Sequence, residues 1–582
     1  MIVKMKKVTL LVSAREREAA VKSLRRLGVL HVQAVKPPTS EDVYKTQNAL
    51  NDAERAAFML GDYKTEAKPG DRSAQEVAAE VLALIQRREA LTAELNEKRE
   101  AYRWFETWGR VSLASHKALE SGGLFVRFYR TDKEGLKKLP TEAQIVQVAE
   151  SKDGLLIAMI GRSAEERLDL PEQRMPEYEV SELEARMAQI ESEQQHINES
   201  LKNLAPYREV IAASMAGLKK QLEFSSVLAG MGDEQAFVYL QGFCPADEAP
   251  RLKTTADAEG WGYIIADPED PSEVPTLLRN KKPIRIIQPL FDFMGTFPGY
   301  HEQDISFIFL LFFSLFYAII IGDAGYGLIF FAATLWGRLK FKQAPPEPFI
   351  LFFVLSTATI IWGVITGTYF GSQAISQLPF LKMLVIEKMY SFSPDPSSQA
   401  FMMRLTFIIG VTHLTLARLI AAAKKLPSPT AIADIGWVLI LWCIYFVANQ
   451  LILNNPMPGF AVYLLVAGMA LVALFANFQK NILKGFLVSL GNLPLSVIST
   501  FSDIVSYIRL FAVGIATVTV AKSFNDMAGG IVAPLVLVFG HGLNIILGMM
   551  SVLVHGVRLN MLEFSGHLGQ EWSGKPYKPF SE

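Results

Sequence analysis

Two arginines stand inside apolar sequence: Arg509, in Ser506-Tyr507-Ile508-Arg509-Leu510-Phe511-Ala512, and Arg558, in His555-Gly556-Val557-Arg558-Leu559. A guanidinium stays charged at any ordinary pH, and near the middle of a membrane-spanning helix it costs about 2.5–3.5 kcal/mol on insertion scales. Such a residue faces a partner or an aqueous cavity, where it can bind an anion or hold a mobile carboxylate ionised. On a helical wheel Ser499, Ser502, Ser506, Arg509 and Thr517 fall within about 80° of one another, with Asp503 at the margin. His541, Asn544, Gly548, Ser551, His555 and Arg558 fall within about 100°. Glu563 follows one turn beyond Arg558. A carboxylate and an imidazole beside a guanidinium can relay protons in a wet cavity, since histidine titrates near neutrality and burial draws a glutamate toward it. Two plainer readings stand beside this one: Arg509 neutralised by a buried neighbour such as Asp503, and the histidines acting as polar glue between helices.

Fixed cations cannot by themselves carry an ion across a membrane. The carboxylates near them are few, Asp323, Asp434, Asp503 and Glu563, and most lie near predicted helix ends. The ion-carrying carboxylate is therefore expected on a different subunit.

The elements that position these residues follow from the distribution of charge. The chain has 582 residues, with 57 Lys/Arg and 58 Asp/Glu, yet only about 16 and 10 of these lie after Ile305. The net charge of −1 lacks the basic footprint of a nucleic-acid binder. Two cysteines, Cys244 and Cys443, exclude a disulfide scaffold or a thiolate zinc cluster. From Ile305 onward the sequence predicts eight apolar spans, at about 305–321, 325–337, 349–370, 401–422, 432–453, 459–478, 488–524 and 531–566, most of them near the roughly 20 residues that cross a bilayer as helix. The last two are overlong, and Pro494 and Pro534 lie near their starts, so they must tilt, project or kink. Arg338, Lys340 and Lys342, then Lys424 and Lys425, then Lys480 and Lys484, then Lys575 and Lys578 follow alternate spans, which places both termini in the cytoplasm. The first 26 residues hold too short an apolar run for a signal peptide.

The charged half, residues 1–295, reads as a cytoplasmic arm ahead of a transmembrane domain at 296–582. Lys7–Val12 is expected as a strand, followed by a helix carrying Val21, Leu24 and Leu27 and by a strand at Val29–Val32. A second α/β lobe is expected near Leu124–Ile160, with strands at Phe125–Tyr129 and Leu155–Ile160. Leu183, Met187, Ile190, Gln194, Ile197, Leu201 and Leu204 alternate steps of four and three, and the register resumes at Ile211, Met215, Leu218 and Leu222. Val77, Val81, Leu84, Arg88, Leu91, Leu95, Lys98, Tyr102 and Phe105 form an opposing series with two charged interruptions. The expectation is a mainly α chain: a dumbbell of two α/β lobes joined by an antiparallel coiled coil, then an eight-helix membrane domain with two long tilted last helices. No GxxxxGK[ST] loop or HExxH motif occurs, so neither ATP hydrolysis nor metal catalysis is expected within the chain, and no cofactor.

Several segments resemble a known family. Asp503–Ala516 (DIVSYIRLFAVGIA) and His555–Phe564 (HGVRLNMLEF) carry the most specific matches, with the closing Gly574-Lys575-Pro576-Tyr577-Lys578-Pro579-Phe580. Lys6–Val32, Pro275–Asn280, Pro298–Asp304 and the glycine-rich turn Gly322–Gly327 extend the match over essentially the whole length. Together they resemble the stator membrane subunit of V-type and archaeal A-type rotary ATPases, called subunit a or subunit I. The resemblance implies that Arg509 is the stator arginine facing a rotor ring of c/K proteolipid subunits and that Arg558 is its second arginine. It places His555 and Glu563 along or beside the ion half-channels; Ser499, Ser502, Asp503, Ser506, Thr517, His541, Asn544 and Ser551, by their place on the two wheels, are further candidates to line the ion path. It implies peripheral-stalk E/G-type subunits, central-stalk and catalytic subunits and membrane lipid as partners, no nucleic acid, and a multi-pass subunit of a prokaryotic cell membrane. This chain departs from the family at Asp304-Ile305-Ser306, where Asp-Pro-Thr is common. It also departs at Leu495, Thr517 and Gly548, where eukaryotic members carry acidic or histidine residues, so their proton-path details do not transfer.

Two other classes fit parts of the sequence. A secondary transporter would use the arginines to bind an anionic substrate, but the predicted spans show no clear inverted repeat. A coiled-coil membrane receptor leaves Arg509 and Arg558 without a role.

Overall fold

A computed structural model describes residues 1–63, 68–139, 144–151, 154–477 and 482–582; Lys480, used above for orientation, lies outside them. The chain is mainly helical and divides into two compact units: Met1–Leu11, Leu27–Gln33 and Gln241–Ser581 in one, Val12–Arg26, Ala34–Leu240 and Glu582 in the other.

The expected N-terminal strand forms β1 (Met5–Ser13), and Val8, Leu10 and Val12 alternate into the core with the period of two that one buried face requires. The second strand is β2 (His31–Gln33), starting later than the sequence predicts. Their sheet is completed from far along the chain by β6 (Gly232–Glu234), β7 (Phe237–Pro245) and β8 (Gly262–Ala266), in the order β2-β7-β1-β8 with β6 against β7. A second sheet has β3 (Phe125–Thr131), β4 (Gln144–Ser151) and β5 (Gly154–Gly161) in the order β3-β5-β4. Its β4 was not among the expected strands.

The heptad series become the helices Ala74–Trp108 and Val180–Leu204, the latter followed after a short turn at Ala205–Tyr207 by Arg208–Gly230. Ser73 caps the first through its hydroxyl on the Glu76 amide, 3.2 Å. The 74–108 and 180–204 helices run antiparallel, since Glu94 meets Arg186 while Arg87 meets Glu193. Val77, Val81, Leu91, Leu95, Ile190, Ile197 and Leu201 are buried along the seam, where Ile85 replaces the expected Leu84. The two charged interruptions are satisfied. Arg88 donates to the Tyr63 hydroxyl at 3.0 Å, and Lys98 donates to the Tyr178 hydroxyl at 2.9 Å. The helix Glu41–Met59, not anticipated from the heptads, packs antiparallel on the 208–230 helix.

Among the described residues, five helices are long and apolar enough to cross a bilayer: Pro346–Thr366, Pro396–Lys425, Thr430–Leu453, Phe486–Met527 and Gly530–Leu568. Ser306–Ile321 and Phe460–Phe475 are apolar but shorter, and Ala324–Lys340 ends on Arg338 and Lys340. The 42-residue and 39-residue lengths of the last two agree with the expected overlong pair. The first of them is interrupted at Tyr507, between Ile482–Ser506 and Ile508–Met527. The second turns from α to π geometry over Val552–Gly556 and again over Leu559–Phe564. The C-terminal segment returns along its own unit: Gly574 N donates to Phe297 O at 3.0 Å, Tyr577 N to Thr276 O at 3.0 Å and Phe580 N to Leu30 O at 2.9 Å.

Candidate functional site

The π segments carry the chemistry of the last span. In π geometry each carbonyl is paired five residues on rather than four, so side chains after Ser551 leave the positions that a uniform wheel assigns them. His555 lies in the first π segment, Glu563 in the second, and Arg558 between them. The consequence is convergence. Glu563 Oε1 lies 3.4 Å from Arg558 Nε and 3.7 Å from Arg509 Nη2, and the Glu563 side chain is only 4% exposed. Arg509 also donates to the Ser506 hydroxyl at 2.8 Å. His555 sits within electrostatic reach of both guanidiniums. Among the described residues its Nδ1 and Glu563 Oε2 have no hydrogen-bond partner.

Asp503 does not neutralise Arg509. Its carboxylate meets His567 Nε2 at 3.0 Å, and His567 Nδ1 accepts from Arg418 Nε at 3.1 Å. Arg418 reaches Asp434 at 3.4 Å, and Asp434 also holds Lys425 at 2.6 Å. This chain of charges spans four helices. Arg418 and His567 were missed because they lie on different spans and outside the two polar stripes, and only the fold brings them together; the intramembrane charge on Arg418 was the available signal.

A third polar group gathers around Tyr326. Its hydroxyl lies 2.7 Å from His541 Nδ1 and accepts from Asn544 Nδ2 at 3.0 Å. Asn544 also donates to Thr517 O at 2.9 Å, and His541 Nε2 meets Asn525 Oδ1 at 3.1 Å. Thr517 turns to backbone carbonyls, at 3.0 Å from Val513 O. The single stripes expected along the last two spans are therefore divided. His541, Asn544 and Thr517 belong to the Tyr326 group, while Ser506, Arg509, His555, Arg558 and Glu563 form the arginine site. Ser499 and Ser502 are exposed, and Ser551 is half-buried.

Next to Arg558 and Glu563 in the chain the last span presents apolar side chains outward, with Val554 55% exposed and Leu562 60%; farther along the last two spans Leu495, Ile498, Leu535 and Val538 are also exposed. Arg558 is 51% exposed on its side chain. On another side, a cavity of about 50 Å³ lined by Thr366, Tyr390, Ser393 and Gln399 reaches Phe511 and Gly514, close to Arg509 in the same helix. Such a site can hold a fixed positive potential at an apolar surface, with a buried carboxylate between two cations.

The chain is 33% identical to the V-type ATP synthase subunit I of Borreliella burgdorferi, over an alignment of 618 positions that covers 100% of both chains. It is 31% identical to the V-type ATP synthase subunit I 1 of Treponema pallidum, again over 100% of both. With the A-type ATP synthase subunit I of Methanocaldococcus jannaschii it shares 24% identity over 78% of this chain and 71% of that protein. Among solved structures, the crystal structure of the cytoplasmic N-terminal domain of subunit I, homolog of subunit a, of V-ATPase is similar at 19% identity and a TM-score of 0.23, covering 45% of this chain and 99% of that one. No family model matches the chain.

Proposed function

Because this chain belongs to the family of subunit I of V-type and A-type ATP synthases, we propose that it is the membrane stator that passes H⁺ or Na⁺ between two half-channels at the surface of a rotor ring. The observation that carries this reading is the convergence of Arg509 and Arg558 on the buried Glu563, beside an exposed apolar face. Lipid alone needs no arginine there. A ring of small proteolipid subunits, each bringing one carboxylate, supplies the missing mobile anion.

In this mechanism a rotor carboxylate is neutral while it faces lipid and ionises on reaching Arg509. A cation at about 4 Å in an effective dielectric near 20 favours the anion by on the order of 4 kcal/mol. Arg509 also blocks a direct leak between the half-channels. Glu563 keeps the two guanidiniums close together, and the arriving carboxylate competes with it for Arg509. The cavity bordered by Thr366, Tyr390, Phe511 and Gly514 supports one half-channel, and the Asp503–His567–Arg418 chain supports a polar route on the other side. Eight spans, counting the shorter helices, put both termini in the cytoplasm, and residues 1–295 anchor the chain to peripheral-stalk helices against the torque of rotation.

The test is Arg509→Ala in the complex reconstituted into vesicles. Coupled ion pumping should be abolished while the subunits still copurify with a proteolipid ring. Normal pumping by that variant would overturn the reading.

A further inference from the structure

We propose that His413 is a positioning residue that holds Arg509 and Glu563 in register, acting through Tyr507 on one side and Phe564 on the other; the proposal rests on the ion-translocating reading above. His413 lies in the Pro396–Lys425 helix and is fully buried. Its ring stacks between Phe312, with centroids 3.9 Å apart, and Phe564, at 4.4 Å. Its Nδ1 lies 2.8 Å from the Tyr507 hydroxyl. Phe564 is the residue after Glu563, and Tyr507 is two residues before Arg509. One imidazole thus touches a neighbour of each partner in the Arg509–Glu563 pair.

Both points of contact sit where the helical hydrogen-bond register departs from α. Tyr507 occupies the break between Ile482–Ser506 and Ile508–Met527, where Tyr507 N bonds Ile504 O at 3.2 Å and Leu510 N bonds Tyr507 O at 3.0 Å. These are the tighter i to i+3 bonds of a 3₁₀-like turn. Phe564 closes the second π segment. The direction of Arg509 depends on the first irregularity and that of Glu563 on the second, and His413 ties the two together. Gly410, one turn earlier in the His413 helix, makes room: a Cβ there would come within 2.6 Å of the Tyr507 ring.

Packing alone does not explain a histidine here. His413 Nε2 is buried with no hydrogen-bond partner among the described residues, a cost that a phenylalanine between two phenylalanines would avoid. What phenylalanine lacks is the bond to Tyr507.

The experiment compares pumped ions per ATP hydrolysed in the full reconstituted complex. Tyr507→Phe removes one oxygen and leaves the ring, so assembly and hydrolysis should persist while the pumping-to-hydrolysis ratio falls about tenfold, the scale expected when a reacting group is displaced by a fraction of an ångström. His413→Phe should do the same, and the double variant should be no worse than either single one, because both remove the same bond. His413→Gln, which keeps a polar atom toward Tyr507, should recover part of the ratio. An unchanged ratio in Tyr507→Phe overturns the proposal even if His413→Phe fails to assemble, and so do fully additive losses. Arg509→Ala is run alongside. If it pumps normally, the ion-translocating reading itself fails; if it stops pumping while Tyr507→Phe and His413→Phe stay fully coupled, only the positioning role fails.

Discussion

Glu563 Oε1 stands 3.7 Å from Arg509 Nη2, across the two longest apolar helices of the chain. The same oxygen is 3.4 Å from Arg558 Nε, so a single negative charge separates two positive ones. Neutralising it leaves two guanidiniums facing each other without a counter-charge, and one must withdraw toward the exposed face or to an outside anion.

Glu563→Gln keeps the shape of the side chain and removes that charge. We expect the complex to assemble, because Arg558 is half exposed and can turn outward, while ATP-driven ion uptake falls at least about tenfold, equivalent to about 1.4 kcal/mol on the rate-limiting step. Vesicle uptake assays at matched hydrolysis rates check it. Undiminished uptake would mean that Glu563 does not help to set the position of Arg509.

Periodicity that stays local was readable in advance. The steps of four and three from Leu183 to Leu204 needed only the helix repeat, and the structure departs from the opposing series by one residue, Ile85 in place of Leu84. Long-range pairing was not readable: β1 finds β8 more than two hundred residues later, with Lys7 opposite Ala266, and nothing in either segment names the other. At the site, composition singled out Arg509, Arg558, His555 and Glu563 because each is costly in apolar surroundings. What the wheel did not show is the division of each stripe, with His541, Asn544 and Thr517 turning to Tyr326, because it assumes uniform α-helix and both spans break that rule, at Tyr507 and in the π segments from Val552 and Leu559.

The coiled-coil arms should depend on apolar packing more than on their ion pairs. Leu91 is fully buried in the seam, and Leu91→Ala should cost about 2–5 kcal/mol through lost burial and the cavity left behind. Arg186→Ala removes the two-pronged contact with Glu94, at 2.7 and 2.8 Å, but both partners reach solvent and the change in stability should be small. Thermal melts of the two full-length variants against the parent chain decide it. A larger loss from Arg186→Ala would reverse the ranking.

Cys244 lies in β7, outside the apolar helices, and burial, aided by the nearby Glu248 and Asp247 charges, pushes its thiol up to about 12. Only the thiolate reacts, so at pH 8 about one molecule in ten thousand is competent even before access is considered. In a Cys443→Ser background, maleimide labelling of the native chain should be very slow at pH 8 and speed up about tenfold per pH unit. Denaturation should restore ordinary thiol reactivity. Rapid labelling of the folded chain at pH 7 would contradict the buried setting.

Asp323 is buried beside Tyr326, and its oxygens are already committed to backbone. Oδ1 accepts from Gly325 N at 2.8 Å, Tyr326 N at 3.2 Å and Phe370 N at 2.8 Å, and Oδ2 from Gly371 N at 2.9 Å. A group holding four amides is poorly placed to pick up and release an ion, because each release would leave buried donors unpaired at about 1–3 kcal/mol apiece. The role this geometry supports is mechanical: it joins the turn before Ala324–Lys340 to the segment after Pro346–Thr366 and fixes Tyr326, the hub for His541 and Asn544. Asp323→Asn keeps the three bonds to Oδ1 and turns a donor toward Gly371 N, whereas Asp323→Ala loses all four. Thermal stability should therefore fall in the order parent, Asn, Ala, and ion pumping by the Asn variant should stay close to the parent at temperatures where it is folded. Loss of pumping in a fully folded Asp323→Asn complex would instead make this carboxylate a carrier.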